Sequence, residues 1–275
     1  MSAGEKCSSC GSKTDGCAPD SCGVGVLPQN DVNDIKRVIA VMSGKGGVGK
    51  SAVTGRLAVG LARQGRRVGI LDADITGPSI PKMFGLNARP TNSGQYLMPV
   101  KTAAGIAVMS LNLLLEREDQ PVIWRGPVIA GAVKQFWTDV AWGRLDYLLV
   151  DMPPGTGDVP LTVMQSLPLD GVIVVTSPQD LANMVVQKAV NMVRQMEAPL
   201  LGVVENMSYL RCPDCGKEIR VFGPSHAGRL TADGVPLLAE LPLDPELARL
   251  CDAGRLEDYR EEPFVNLDAL LSAQN

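Results

Sequence analysis

Gly44-Lys45-Gly46-Gly47-Val48-Gly49-Lys50-Ser51 is the stretch that decides the fold of this chain. Gly44, Gly46, Gly47 and Gly49 let the backbone bend tightly around an anion and point its NH groups inward, and a helix starting at the end of the loop adds its positive dipole end. The stretch follows the apolar run Val38-Ile39-Ala40-Val41-Met42 and leads into a helical pattern through Leu57, Leu61 and Ala62. That strand, loop and helix order is the context a phosphate-binding P-loop needs. Lys50 then reaches the outer phosphates of a nucleotide, and Ser51 offers a hydroxyl to magnesium, a hard cation that bridges those phosphates. A glycine-rich turn without a ligand is the bland alternative, and the complete pattern with both flanks argues against it. The additional Lys45, near the start of the loop, narrows the family.

Outward from this loop, short apolar runs at 38–42, 68–71, 147–150, 171–176 and 200–204 alternate with helical patterns at 50–64, 128–140 and 180–196. A further apolar segment at 264–271 suits a packed C-terminal helix. The alternation predicts an α/β fold with a doubly wound, mostly parallel sheet buried on both faces. A chain of 275 residues with 45% apolar content buries a full core, so one large ATPase domain over 35–275 is expected, preceded by a cysteine-rich tail over 1–34 that cannot form a core unaided. The balance of 26 basic to 30 acidic residues gives a net charge of -4, which argues against a strongly electropositive nucleic-acid surface. No apolar run approaches the roughly 20 residues that span a bilayer, and no apolar signal region stands at the N-terminus, so a soluble cytoplasmic protein with neither membrane nor nucleic acid as partner is expected.

Two acidic stretches follow strands. Leu71-Asp72-Ala73-Asp74 places two carboxylates at the sheet edge where P-loop proteins sense their nucleotide, a position that suits a switch segment; a helix-capping role is the blander reading of Asp74. Tyr147-Leu148-Leu149-Val150-Asp151 ends in an acid suited to magnesium, and the following Gly155 has the freedom to swing its NH toward a terminal phosphate.

The pair Cys212-x-x-Cys215 converges two thiolates on one metal and leaves half of a tetrahedral or cluster site unfilled. A symmetric dimer completes it by setting the same pair opposite itself, and both an iron-sulfur cluster and zinc suit four thiolates. Cys7, Cys10, Cys17 and Cys22 lie within sixteen residues, a spacing better matched to metal than to disulfides in a reducing compartment. His226 is a possible extra ligand or a packing residue, and Cys251 reads as a packed thiol in a helical segment.

Taken together, Ser43 to Ser51, Asp72-Ala-Asp-Ile-Thr-Gly-Pro-Ser79, Asp151-Met-Pro-Pro-Gly-Thr-Gly-Asp158, Ser177-Pro-Gln179, Glu205-Asn-Met-Ser208 and Cys212-Pro-Asp-Cys215 resemble the Mrp/ApbC-type iron-sulfur cluster carriers. These are deviant-Walker P-loop ATPases related to MinD and the nitrogenase iron protein, and the resemblance covers about residues 36–260. It implies a homodimer sandwiching ATP, in which Lys45 reaches phosphates bound by the other subunit, Asp74 positions the attacking water and Asn206 contacts adenine. It further implies a labile [4Fe-4S] cluster shared by Cys212 and Cys215 of two subunits and handed to apo iron-sulfur proteins. The eukaryotic cluster-scaffold branch carries an N-terminal four-cysteine cluster with another spacing, so cluster, zinc and free thiols all remain open for the tail. A MinD- or ParA-like spatial organiser is the rival reading, weakened because Asn266 to Asn275 lacks a basic amphipathic face. An electron donor like the nitrogenase iron protein fits poorly, since no cysteine lies between Asp74 and Asp158. A zinc-stabilised regulatory ATPase stays open.

Overall fold

Every residue of strand β1 (Val38–Ser43) is buried, as a continuous apolar run requires when helices cover both faces of a sheet. The computed structural model describes residues 25–74, 77, 79–114, 126–225, 234–261 and 264. After β1 come α1 (Lys50–Arg63), β2 (Val68–Asp72), α2 (Ile80–Met83), β3 (Val100–Lys101), β4 (Ala107–Ser110) and α3 (Gly126–Thr138). Then follow β5 (Tyr147–Asp151), α4 (Asp158–Ser166), β6 (Gly171–Thr176), α5 (Asp180–Gln195), β7 (Leu200–Arg211), β8 (Glu218–Ile219), β9 (Leu237–Pro242) and α6 (Pro245–Asp252).

Among the described residues these strands form one nine-stranded sheet in the order β8-β7-β6-β1-β5-β2-β4-β3, with β9 also paired to β7. All pairings are parallel except β3 with β4 and β7 with β8. Alternate side chains of β1 divide the core in two. Val38, Ala40 and Met42 pack with Val133 and Trp137 of α3, Val163 of α4 and Val190 of α5. Ile39 and Val41 face the other way, onto Val53, Leu57 and Leu61 of α1 and Leu247 and Leu250 of α6. The sheet is therefore wound on both faces, as the alternation of patterns predicts.

Parallel strands put their carboxyl ends on one edge, and the loops after β1, β2 and β5 gather there, where open α/β sheets take their ligands. The pairing of Val41 and of Asp72 with Asp151 sets the two acids side by side at that edge.

The strand expected at 200–204 runs on to Arg211, and Ala107–Ser110, Leu237–Pro242 and helix Asp158–Ser166 are additional elements. Phe264 is buried against the α1 face, while the rest of the apolar segment at 264–271 lies outside the described residues. The tail cysteines and His226 lie outside them too. No helix among the described residues is long and apolar enough to cross a membrane.

Candidate functional site

The glycine loop closes on itself before α1 begins. Gly47 and Gly49 sit at φ 81° and 79°, left-handed values that a side chain resists. At Gly49 a Cβ would also collide with the Asn206 amide nitrogen, which donates to the Val48 carbonyl at 2.9 Å. Asn206 is buried at the P-loop's flank. A cleft of about 380 Å³ lies over the loop, lined by Gly46, Gly47, Gly49, Lys50, Ser51 and Asp74 among others. Backbone amides at the start of the 14-residue helix α1, together with the Lys50 ammonium, make it an anion cradle.

Lys50 and Asp151 are the charged centre of the cleft, 5% and 0% exposed. The Lys50 Nζ lies 2.8 Å from Asp151 Oδ2 and 3.5 Å from Asp74 Oδ2. Ser51 donates its hydroxyl to Asp151 Oδ2 at 2.6 Å, and Thr54, one helical turn after Lys50, donates to Asp151 Oδ1 at 2.7 Å. Burying a carboxylate costs several kcal/mol unless its oxygens are paired, and here both oxygens are engaged. Asp72 is also buried, accepting from Ser110 Oγ at 3.0 Å and from the Asp74 amide at 3.1 Å. Burial first, and the neighbouring Asp151 second, push its carboxyl well above the ordinary carboxylate range. The donor set of Ser51, Asp151 and Asp74 is all oxygen, which suits a small hard dication beside a triphosphate.

The structure brings Lys50, Ser51, Asp74, Asp151 and Asn206 around one loop. Lys45 instead turns to Gln179, donating to its Oε1 at 2.6 Å, away from the loop's own centre. The Gly155 NH donates to the Ser43 carbonyl at 2.8 Å, so its swing toward a phosphate requires that bond to break. Thr54, Ser110 and Gln179 escape motif reading. Only the i+4 spacing of Thr54 after Lys50 hints that one helix face carries both.

The cysteine pair sits at the tip of the β7–β8 hairpin, beyond the same carboxyl edge of the sheet. Cys212 closes the turn by two backbone bonds, its NH to the Lys217 carbonyl at 3.0 Å and its carbonyl from the Gly216 NH at 2.9 Å. Gly216 takes φ 71°, which lets the chain double back. The amides of Cys215 and Asp214, then the Cys215 thiol, lower the Cys212 pKa, favouring the thiolate that binds metal. Among the described residues, no group of three or more potential metal ligands forms around the pair. On the returning side of the hairpin and just after it, Ile219, Val221 and Phe222 are 45%, 52% and 38% exposed. Cys251, by contrast, is half-buried, and burial raises its pKa.

A family model described as ParA, NUBPL iron-transfer P-loop NTPase, matches residues 34–269. The chain belongs to this family. Among similar family members, the iron-sulfur cluster carrier protein of Clostridium perfringens is 48% identical, over 96% of this chain and 94% of that protein. The protein of the same description from Methanocaldococcus jannaschii is 44% identical over 98% of this chain and 92% of its own length. A nucleotide-binding protein of Archaeoglobus fulgidus, solved in complex with ADP, superposes with a TM-score of 0.76 at 48% identity, covering 84% of this chain and 92% of that one. The cell division ATPase MinD of Pyrococcus furiosus shares the fold alone, with a TM-score of 0.59 at 21% identity.

Proposed function

We propose that this NUBPL-type P-loop NTPase is a cytoplasmic, homodimeric ATPase that carries a [4Fe-4S] cluster between its subunits and passes it to apo iron-sulfur proteins. The observation that supports the reading is the pair of free cysteines, Cys212 and Cys215, at a hairpin tip in a member of an iron-transfer family. Four thiolates need two copies, and an isologous interface supplies them. The names of the relatives point the same way.

In this reading Gly44 to Ser51 wrap the phosphates of ATP and Lys50 exchanges Asp151 for the outer phosphate oxygens. Asp74 orients the water that attacks the terminal phosphoryl in line, and Lys45 leaves Gln179 to neutralise charge across the dimer. Ser51 and Asp151 would hold magnesium, which supplies charge neutralisation between the outer phosphates. Asn206, which donates to the Val48 carbonyl, would contact the base. The tail cysteines Cys7, Cys10, Cys17 and Cys22 are a second metal site within one chain in this reading, on a segment that precedes Leu27 and Pro28, whose carbonyls accept from the Trp137 indole.

Anaerobic reconstitution with iron and sulfide tests the proposal. The parent protein should gain a cluster chromophore and activate an apo-enzyme that needs a [4Fe-4S] cluster, whereas Cys212→Ala with Cys215→Ala should lose the shared cluster and the transfer. Equal transfer by the double variant would refute the carrier reading, and zinc in place of iron after anaerobic purification would replace it with a zinc-stabilised ATPase.

A further inference from the structure

A second cleft of about 380 Å³ opens at the opposite edge of the sheet, where β2, β4 and β5 begin. Arg66 and Arg67 reach it from the α1–β2 turn, Lys101 from β3 and Arg144 from the segment before β5, and no carboxylate lines it. All four basic residues are exposed. The nearby acids stand on its rim: Asp146 bridges Arg67 and Lys36, Asp34 pairs Arg144 at 3.3 Å, and Glu257 accepts from the Ala104 amide. A cationic cleft is unexpected on a chain whose net charge is -4. Its floor is apolar, with Met98, Pro99, Ile106, Leu145 and Trp142.

We infer that this cleft docks an acidic peptide segment of a partner protein, one that sets an apolar side chain on the floor and carboxylates against the four cations. The spread of charge decides the class. Arg67 and Arg144 are each tied to a rim acid on different segments, so the cations do not converge on one small anion but suit carboxylates spaced along a chain. Single-stranded nucleic acid asks for exposed aromatic faces on which bases stack. Trp142 offers none, because it is 4% exposed and its indole NH is already given to the Phe136 carbonyl at 2.9 Å. The placement has a use. A partner held at the amino edge leaves the P-loop and the cysteine hairpin, both at the carboxyl edge, free to work.

Binding of a fluorescein-labelled, glutamate-rich peptide with two spaced leucines, followed by anisotropy on the full-length protein, tests this. The parent should bind it more tightly than its glutamine analogue. Arg66→Glu with Lys101→Glu should weaken binding about tenfold, since two attractions become repulsions, and Ala104→Glu on the rim should weaken it independently. ATP turnover should stay at the parental value, because none of these residues touches the P-loop. Absence of binding to the parent, binding by both variants as tight as the parent's, or tighter binding of a charge-matched single-stranded oligonucleotide would each overturn the inference.

Discussion

Thr54→Val replaces a buried hydroxyl by a methyl of nearly the same volume, and so isolates one bond, the 2.7 Å donation to Asp151 Oδ1. A hydrogen bond to a charged group is worth about 1.5–3 kcal/mol, and Asp151 keeps Ser51 and Lys50 as partners, so about 2 kcal/mol should be lost. For a domain of this size that is a fall of about 4–8 °C in melting temperature. The second readout is chemical. Without Thr54 the carboxylate is no longer held from both oxygens, and residues that orient a metal-binding carboxylate typically change metal affinity by about tenfold or more. The magnesium concentration giving half-maximal ATP turnover should therefore rise about tenfold, while Thr54→Ser restores both values. Thermal melts without nucleotide and a magnesium titration of phosphate release make the measurement. A melting point within about 1 °C of the parent, together with an unchanged magnesium requirement, would refute the assignment of Thr54 as the residue that positions Asp151.

Lys50→Ala removes the cation at the centre of the cleft, and ATP turnover should fall at least about a hundredfold, measured as phosphate release. Asp146, bonded by Arg67 and then by Lys36, has its pKa lowered far below the usual range, so the stability it contributes is present above the unfolded carboxylate pKa of about 4 and drains away as pH falls below it. Solvent screens this pair, so about 1 kcal/mol is at stake, and urea melts from pH 5 downward should show a shallower loss in Asp146→Asn than in the parent. Iodoacetamide at neutral pH should label Cys212 faster than Cys251, because neighbouring amides favour the first thiolate and burial disfavours the second; mass spectrometry that finds Cys251 labelled first would contradict the hairpin geometry.

The parallel core was legible because its strands are continuous apolar runs: Val38–Ser43, Tyr147–Asp151 and Gly171–Thr176 stand where the runs predict. The shorter strand Ala107–Ser110 has only four residues, and Leu237–Pro242 carries Glu240 and ends in proline, so neither stands out against turns. Helix Asp158–Ser166 hides behind the glycines and prolines of the preceding loop, and its own Pro160 falls in the first turn, where a missing NH costs little. In the site, motif residues announced themselves through spacing. Thr54, Ser110 and Gln179 did not, because a hydroxyl or amide that supports a charge has no pattern of its own, and only the fold reveals what stands opposite. The Asp72–Asp151 contact is of the same kind, set by strand register across seventy-nine positions of sequence.

Strand β7 works as a strut. At Asn206 it is pinned to the P-loop by the bond to the Val48 carbonyl, and six positions later it delivers Cys212 to the hairpin tip. Met207, at φ 60°, puts a joint in the strut directly after the pin, and the pairing with β9 loses its regular register between Glu205 and Tyr209. A displacement of the loop at Val48 must therefore either break the pin or carry the upper half of the strut about its joint. Six residues of extended chain make an arm of about 20 Å, so a tilt of about 10° would move the thiols by about 3 Å, more than the length of a bond between iron and sulfur.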